Sequence, residues 1–206
     1  GYFNRVRTYV HETGQLTDTV TLNQGEDNHA RPTLIIDHAG YLHAIISGHN
    51  SPVTHMRSKR PNDASAWTEP VTIGSGTYPV SACGPEGTLY VLLRSANRWN
   101  GVDLYVKPPD GSWQMRQKLV HRDEQLTGYA AFHSGLTVAP DGTLHVLIDF
   151  YESKGVWDQR GLHQAVAYMK SRDLGKTCTR ADGTPIDLPG RPKQMDPLAQ
   201  DRAESR

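Results

Sequence analysis

Short apolar runs separated by polar turns dominate this chain, and three pairs of runs share one layout. In each pair a first apolar run leads into a turn that ends in glycine, and a second apolar run follows. Glycine at that position allows the positive φ that tight hairpin turns require. Each pair is therefore predicted to be a β-hairpin. The pairs occupy residues 32–46, 80–93 and 136–148, and their turn glycines are Gly40, Gly87 and Gly142.

The spacing of these hairpins predicts a repeat architecture. The turn glycines are 47 and 55 residues apart, and further short strands follow each hairpin. Several strands recurring at such a period are typical of the blades of a β-propeller. We therefore predict an all-β fold, a β-propeller of four-stranded antiparallel blades. The outer strands are expected at residues 53–57 and 69–73, 102–106 and 115–120, and 165–169.

A turn motif in the third repeat supports this prediction. Residues 171–178 read S-x-D-x-G-x-T-C, which differs at the last position from the Asp-box S-x-D-x-G-x-T-W. In this motif the Asp side chain accepts hydrogen bonds from its own loop, and the glycine takes φ > 0. Cys178 replaces the aromatic plug, so a weak plug is expected. Ser58, Pro61, Asp63 and Trp67 resemble a degenerate copy.

The number of repeats predicts only part of a closed ring. Three repeats and an N-terminal strand pair give about three and a half blades, whereas a closed propeller has about four to eight. We therefore expect residues 1–187 to form part of a seven-bladed propeller, with blade ends near residues 24, 75 and 127. The remaining blades of the propeller would close the ring. Residues 188–206, with Pro189, Pro192 and Pro197, are expected to form an irregular tail.

Composition limits the kinds of partner that the chain is expected to bind. The 22 basic and 22 acidic residues balance, which argues against a protein that coats nucleic acid. No apolar run approaches the roughly 20 residues of a membrane span. The two cysteines define no disulfide framework. His29, His49, His55 and His133 do not have a zinc-binding spacing. No required cofactor is therefore predicted, and the sequence does not indicate a structural calcium or zinc ion. The chain begins at Gly1 without Met, so an upstream region is expected.

Polar residues recur at one end of each predicted hairpin, before its first strand or after its second. In a propeller these positions converge at one end of the central axis, so the residues are expected to share a cleft. For any single residue, a strand-end hydrogen bond to a loop is the preferred explanation of the polarity, whereas for the whole set in register the two explanations are about equal. The set comprises His29, His49 and Asn50 in the first repeat, Tyr78 and Arg94 in the second, and His133, Asp149, Tyr151 and Glu152 in the third.

These residues carry a resemblance to a known family. Asp27-Asn28-His29, His49-Asn50 and the Tyr78…Arg94 pair resemble the propeller polysaccharide lyases of the ulvan lyase type, within the wider BNR-repeat, sialidase-like group. The resemblance implies β-elimination on a uronate-containing polysaccharide and a secreted or periplasmic location. It implies Arg94 as the partner of the uronate carboxylate, Tyr78 and His29 as base and acid, and His49 as a residue that supports or shares the base role. Asn50, Arg98, Trp99, His133 and Tyr151 are the expected substrate-binding residues.

Elementary chemistry agrees with a lyase and leaves two alternatives open. A guanidinium that pairs with a carboxylate lowers the cost of removing the adjacent proton, and Tyr or His can transfer that proton. A Tyr beside an Arg is expected to have its phenolate favoured. A sialidase-like or rhamnosidase-like hydrolase would use paired carboxylates, for which Asp149 and Glu152 are candidates. A non-catalytic carbohydrate-binding propeller would use aromatic residues such as Trp99 for sugar stacking, as would either kind of enzyme.

Overall fold

The computed structural model describes residues 1–26, 28–29, 31–96, 101–125, 128–153 and 162–200. Within these residues the chain forms eighteen strands and a single 3₁₀ turn, Pro192–Gln194. The strands are β1 (Tyr2–Val6), β2 (Tyr9–Val10), β3 (Gln15–Leu16), β4 (Val20–Gly25), β5 (Thr33–Ile36), β6 (Leu42–Ile46), β7 (Ser51–Arg60), β8 (Asp63–Trp67), β9 (Val71–Cys83), β10 (Leu89–Ser95), β11 (Gly101–Lys107), β12 (Gln114–His121), β13 (Ala130–Val138), β14 (Leu144–Glu152), β15 (Leu162–Ser171), β16 (Cys178–Thr179), β17 (Pro185–Ile186) and β18 (Asp196–Gln200).

Antiparallel pairing sorts these strands into successive blades. The first blade runs β5-β6-β7-β9 and the second runs β9-β10-β11-β12. Strand β9 serves both, because residues 71–76 pair with β7 and residues 76–83 pair with β10. The third blade contains β13-β14-β15, and β15 also pairs with β16 and β18. The predicted all-β propeller of four-stranded antiparallel blades is confirmed.

The core lies between the faces of neighbouring blades, and β10 shows why. All seven residues of β10 are buried. Because side chains alternate across a strand, Val91 and Leu93 pack toward the first blade, whereas Tyr90 and Leu92 join the larger cluster shared with the third blade. A continuous apolar run thus marks a strand in the middle of a stack of sheets.

The Asp-box folds as its sequence predicts. The Asp173 carboxylate accepts hydrogen bonds from the backbone N–H of Thr177 at 2.9 Å and from its hydroxyl at 2.7 Å. Gly175 has φ of 82°. Cys178 fills the aromatic position as a small apolar side chain, 2% exposed in the largest core cluster, and burial raises the pKa of its thiol to about 12.

The chain beyond residue 188 differs from the expected irregular tail as far as residue 200. Gly190 bridges β12 in parallel at Val120, and β18 adds an antiparallel partner to β15. The buried Met195 anchors the segment at 1% exposure. Its prolines do not prevent this pairing, because a proline is tolerated on a strand at a sheet edge. Residues 201–206 lie outside the described residues.

Candidate active site

The predicted site residues lie at the ends of strands opposite the hairpin turns. His29 precedes β5, His49 and Asn50 connect β6 to β7, and Arg94 is the next-to-last residue of β10. The pairing of Arg94 with Thr77 and of Leu89 with Cys83 places Arg94 and the β9–β10 turn at opposite ends of this hairpin. Repeat-equivalent positions therefore do converge at one end of the blades.

Four aromatic rings from three blades form a continuous group at this end. The His29 and His49 rings stack with centroids 4.1 Å apart and planes 10° apart. The Tyr78 ring lies 5.9 Å from His29 and 4.7 Å from His133. Three imidazoles and one phenol thus lie in consecutive contact, which gives the site several groups able to transfer protons.

Two site residues hold backbone conformations that are uncommon for their side chains. Asn50 has φ of 49° and Tyr78 has φ of 56°. Asn adopts this left-handed region readily, whereas a bulky Tyr does so at a cost of order 1–3 kcal/mol. Tyr78 lies where β9 passes from pairing with β7 to pairing with β10. The strain favours a role for the Tyr78 ring at this position, because a glycine would make the same bend more easily.

Arg94 lies beneath the rings and is almost fully buried, at 1% exposure. One terminal nitrogen, Nη1, donates to the Tyr129 hydroxyl at 3.0 Å. The other, Nη2, donates to Thr77 Oγ1 at 3.1 Å and to Asn50 Oδ1 at 3.2 Å. The guanidinium carbon is 4.8 Å from the Tyr78 ring centroid. Arg94 therefore ties the loop after β6, the bend in β9 and the segment before β13 to one another.

The positive charge of Arg94 has no counter-ion in the part of the chain that the structure describes. Its hydrogen-bond partners are a phenol, a hydroxyl and an amide oxygen, and its Nε has no partner among the described residues. A buried charge without an opposite charge is costly, so it creates a strong preference for an anion nearby. The site is thus electrostatically prepared for a negatively charged group.

Tyr129 belongs to the site although the sequence analysis did not select it. Besides the bond from Arg94, its backbone oxygen accepts from the backbone N–H of Ser153 at 2.9 Å, which fixes it beside β14. Tyr129 directly precedes β13, whereas the sequence analysis considered only His133 for that side of the repeat. The available signal was the aromatic residue just before a predicted inner strand.

Protonation states follow from burial. Burial raises the pKa of Tyr78, the neighbouring Tyr129 adds to this, and Arg94 and Arg31 oppose it. The expectation that Arg94 favours the phenolate is therefore corrected, because desolvation of the ring outweighs the nearby charges. Burial also lowers the pKa of His133. Near neutral pH the site accordingly contains a protonated phenol and a neutral His133 imidazole.

The remaining candidates take different positions. The Asn50 side-chain oxygen accepts from Arg94 and Thr77, so it serves inside the protein rather than as an open ligand for substrate. Tyr151 lies at the edge of the group, 6.2 Å from the Tyr129 ring and 4.9 Å from His163. Arg98 and Trp99 lie outside the described residues. Arg31, which the sequence analysis did not select, is exposed, and its guanidinium carbon is 5.9 Å from the Tyr78 ring centroid.

The carboxylates proposed for a hydrolase are not arranged as an open pair. Arg191 holds both oxygens of Glu152 at 2.9 and 2.8 Å, and the Glu152 side chain is fully buried. Asp149 instead contacts the ring nitrogen Nδ1 of His163 at 2.9 Å. Both acids are therefore engaged, and the paired geometry of a retaining hydrolase is not present in them.

Two kinds of feature are absent from the described residues. No group of three or more His, Cys, Asp or Glu side chains there is arranged to hold a metal ion. None of the helical segments there has the length and apolar character needed to cross a bilayer.

Comparison with known proteins places this geometry in context. A family model described as a BNR repeat-containing family member matches residues 4–204. An ulvan lyase (PL25) of Pseudoalteromonas sp. strain PLSV is 29% identical over 115 residues, which cover 43% of this chain and 24% of that protein. An ulvan lyase of Nonlabens ulvanivorans is 31% identical over 84 residues, covering 33% of this chain and 18% of the relative.

Solved structures agree at the level of the fold. The structure of a polysaccharide lyase PL25 ulvan lyase bound to -[GlcA(1-4)Rha3S]- superimposes with a TM-score of 0.76 at 20% identity, covering 96% of this chain and 54% of that one. The crystal structure of polysaccharide lyase Uly1 gives a TM-score of 0.67 at 14% identity with the same coverage. This chain thus spans about half the length of these structures.

Proposed function

The chain belongs to the BNR repeat-containing family, and on this premise we propose that it is part of a polysaccharide lyase that cleaves a uronate-containing, ulvan-like polysaccharide by β-elimination. The observation that carries the proposal is the buried, uncompensated charge of Arg94 beside Tyr78, which contacts His29 and His133. A uronate carboxylate would supply the missing negative charge. The similarity to ulvan lyases supports the same class of substrate.

The proposed reaction starts at the carbon beside the carboxylate. A base removes the proton from this carbon, the electron pair forms a carbon–carbon double bond, and the bond to the neighbouring glycosidic oxygen breaks. An acid then protonates the departing oxygen. The field of Arg94 makes the carbanion-like transition state less costly, because the charge that develops lies close to a fixed cation.

We assign the acid to Tyr78 and the base to His29, which reverses the roles that the family resemblance implies. Tyr78 keeps its proton at neutral pH because burial raises its pKa, so it can donate to the leaving oxygen. A neutral imidazole has a lone pair for the proton on carbon, and His49 stacks on His29 and orients it. His133 and Tyr151 would contact neighbouring sugars. Exposed Arg31 would approach the carboxylate from the solvent side.

The remainder of the propeller is the proposed partner of this chain. Leu34 and Ile36 on β5 are 50% and 52% exposed, and Leu198 on β18 is 62% exposed. Apolar side chains on open strands are suited to packing against further blades. Because a polysaccharide substrate is met outside the cytoplasm, we expect the complete protein to be secreted or periplasmic.

The experiment uses the full-length protein and a glucuronate-containing ulvan. Tyr78→Phe removes one hydroxyl and should reduce turnover by about 10²–10⁴-fold with little change in binding. Arg94→Lys keeps the charge but loses the planar fork whose two nitrogens reach Tyr129, Thr77 and Asn50, so it should also impair turnover. Tyr2→Phe, at an exposed position, is the matched control and should act like the wild type.

The nature of the product separates the alternatives. A lyase leaves an unsaturated sugar that absorbs in the ultraviolet, whereas a hydrolase leaves a saturated sugar with a new reducing end. Saturated products, or normal turnover by Tyr78→Phe, would overturn the lyase proposal. Saturable binding without any product would identify a non-catalytic carbohydrate-binding propeller.

A further inference from the structure

A cavity of about 780 Å³ lies between the first and second blades, at the end of the blades that carries the hairpin turns. Its walls come from the turn between β5 and β6, the turn between β9 and β10, and the segment between β11 and β12. Arg94 is six residues from the β9–β10 turn along β10, about 20 Å at about 3.3 Å per strand residue. The cavity is therefore separate from the candidate active site, although its volume is typical of a ligand-binding pocket.

A chain of hydrogen bonds fixes the aromatic wall of this cavity. The Trp113 indole nitrogen donates to His55 Nδ1 at 3.1 Å, His55 Nε2 lies 2.9 Å from His43 Nδ1, and His43 Nε2 lies 3.1 Å from the Asp37 carboxylate. Because an indole N–H can only donate, each imidazole must be a neutral tautomer that accepts on one side and donates on the other. All hydrogen bonds of this series are thus donated in the same direction, from Trp113 toward Asp37, and they hold the Trp113 side chain rigidly.

Two cations face the same cavity without a carboxylate partner among the described residues. Arg57 places its guanidinium 4.2 Å from the Tyr41 ring centroid, which orients it without using its N–H donors. Lys107 gives two donors to the backbone oxygens of Pro108 and Pro109, at 3.2 and 3.1 Å. Its remaining donor and the Arg57 fork are available to an anion. Three carboxylates also line the cavity: Asp37 is bound by His43, whereas Glu69 and Glu86 are exposed and can turn toward water.

We propose that this cavity is a second, non-catalytic binding site for an acidic saccharide, with the anionic group at Arg57 and Lys107 and a sugar ring against Trp113. A rigid indole offers an apolar face to a pyranose ring, and a guanidinium matches the planar oxygens of a carboxylate or sulfate ester. Such a site would hold a polymeric acidic chain on the protein without taking part in catalysis. It does not require the proposed lyase activity.

The test follows the Trp113 indole N–H signal by NMR, assigned from its loss in Trp113→Phe. Tyr78→Phe protein is titrated with a glucuronate-containing tetrasaccharide, its sulfated form, a neutral glucose tetrasaccharide and inorganic sulfate. We expect saturable shifts with one or both acidic saccharides, and at least about tenfold weaker binding of the neutral one. The form that binds more tightly identifies the anionic group.

Variants on the walls localise the binding. Arg57→Ala should weaken the binding of the acidic saccharide about 5- to 10-fold, and Lys107→Met should also weaken it. Arg60→Ala removes an exposed arginine from the same strand, outside the cavity, and should bind like the parent. Equal binding of the neutral saccharide, equal binding of sulfate alone, or no effect of either cavity variant would overturn the proposal. Product formation by the full-length protein is measured separately, so either proposal can fail alone.

Discussion

The hydrogen-bonded chain from Trp113 to Asp37 predicts how stability depends on pH. His55 is 8% exposed, and burial lowers its pKa to about 4 from the ordinary 6.5, with smaller contributions from His43, Lys107 and Arg57. Since the unfolded chain binds the proton first as the pH falls, the folded state loses stability below pH 6.5. The loss continues until the pH reaches the pKa of the folded protein, about 4.

The size of the effect follows from these two values. At about 1.4 kcal/mol per pH unit, the difference between 6.5 and about 4 corresponds to about 3 kcal/mol of unfolding free energy. His43 acts in the same direction, because burial lowers its pKa as well, although Asp37 opposes the change. A protonated His55 would set its Nδ1–H against the indole N–H of Trp113, and a protonated His43 would set its Nδ1–H against the N–H of His55, so either would break the hydrogen-bonded chain.

His55→Gln isolates this contribution. Glutamine can still accept from Trp113 and donate to His43, but it does not titrate. Urea unfolding between pH 7.5 and 4 should show the wild type losing about 3 kcal/mol more than the variant. His11→Gln, at an exposed position, should follow the wild-type curve. If the wild type and His55→Gln lost equal unfolding free energy over this pH range, the neutral, buried state of the hydrogen-bonded histidines would be refuted.

Three further predictions concern stability, each measured by urea or thermal unfolding. Glu152→Gln removes the nearer charge partner of Arg191 and leaves it only Asp123 at 3.7 Å, so it should cost up to about 3 kcal/mol; an unchanged midpoint would contradict the buried pair. Gly175→Ala should destabilise strongly, since φ is 82° and a Cβ would collide with Leu104, whereas Gly142→Ala, also at φ of 82° but in open space, should cost less. Asp173→Ala should cost about 1–2 kcal/mol through the lost hydrogen bonds in the Asp-box turn, and a neutral effect would show that this turn forms without them.

Much of the architecture could be predicted because its signals are local. Alternating or continuous apolar runs define the strands, and Gly40, Gly87 and Gly142 take the positive φ that their turns require. Repeat register also brought His29 and Tyr78 to the same end of the blades, because equivalent strand ends in stacked blades are neighbours in space. Their catalytic roles stay predictions.

Other features depend on partners distant in sequence. Tyr129 belongs to the site through its bond to Arg94, 35 residues away, and Arg191 pairs with Glu152, 39 residues away. The prolines of that segment suggested an irregular tail, because composition does not show which sheet edge is available for pairing.

The sequence by itself determined the strands, the turns and the end of the blades at which the polar residues collect, since each depends on near neighbours in the chain. Only the tertiary structure decided the electrostatics. Burial, and not the adjacent Arg94, sets the direction of the Tyr78 pKa. Arg94 became a buried cation with neutral partners because three separate segments close over it. Desolvation and charge compensation are properties of the assembled fold, so no local pattern encodes them.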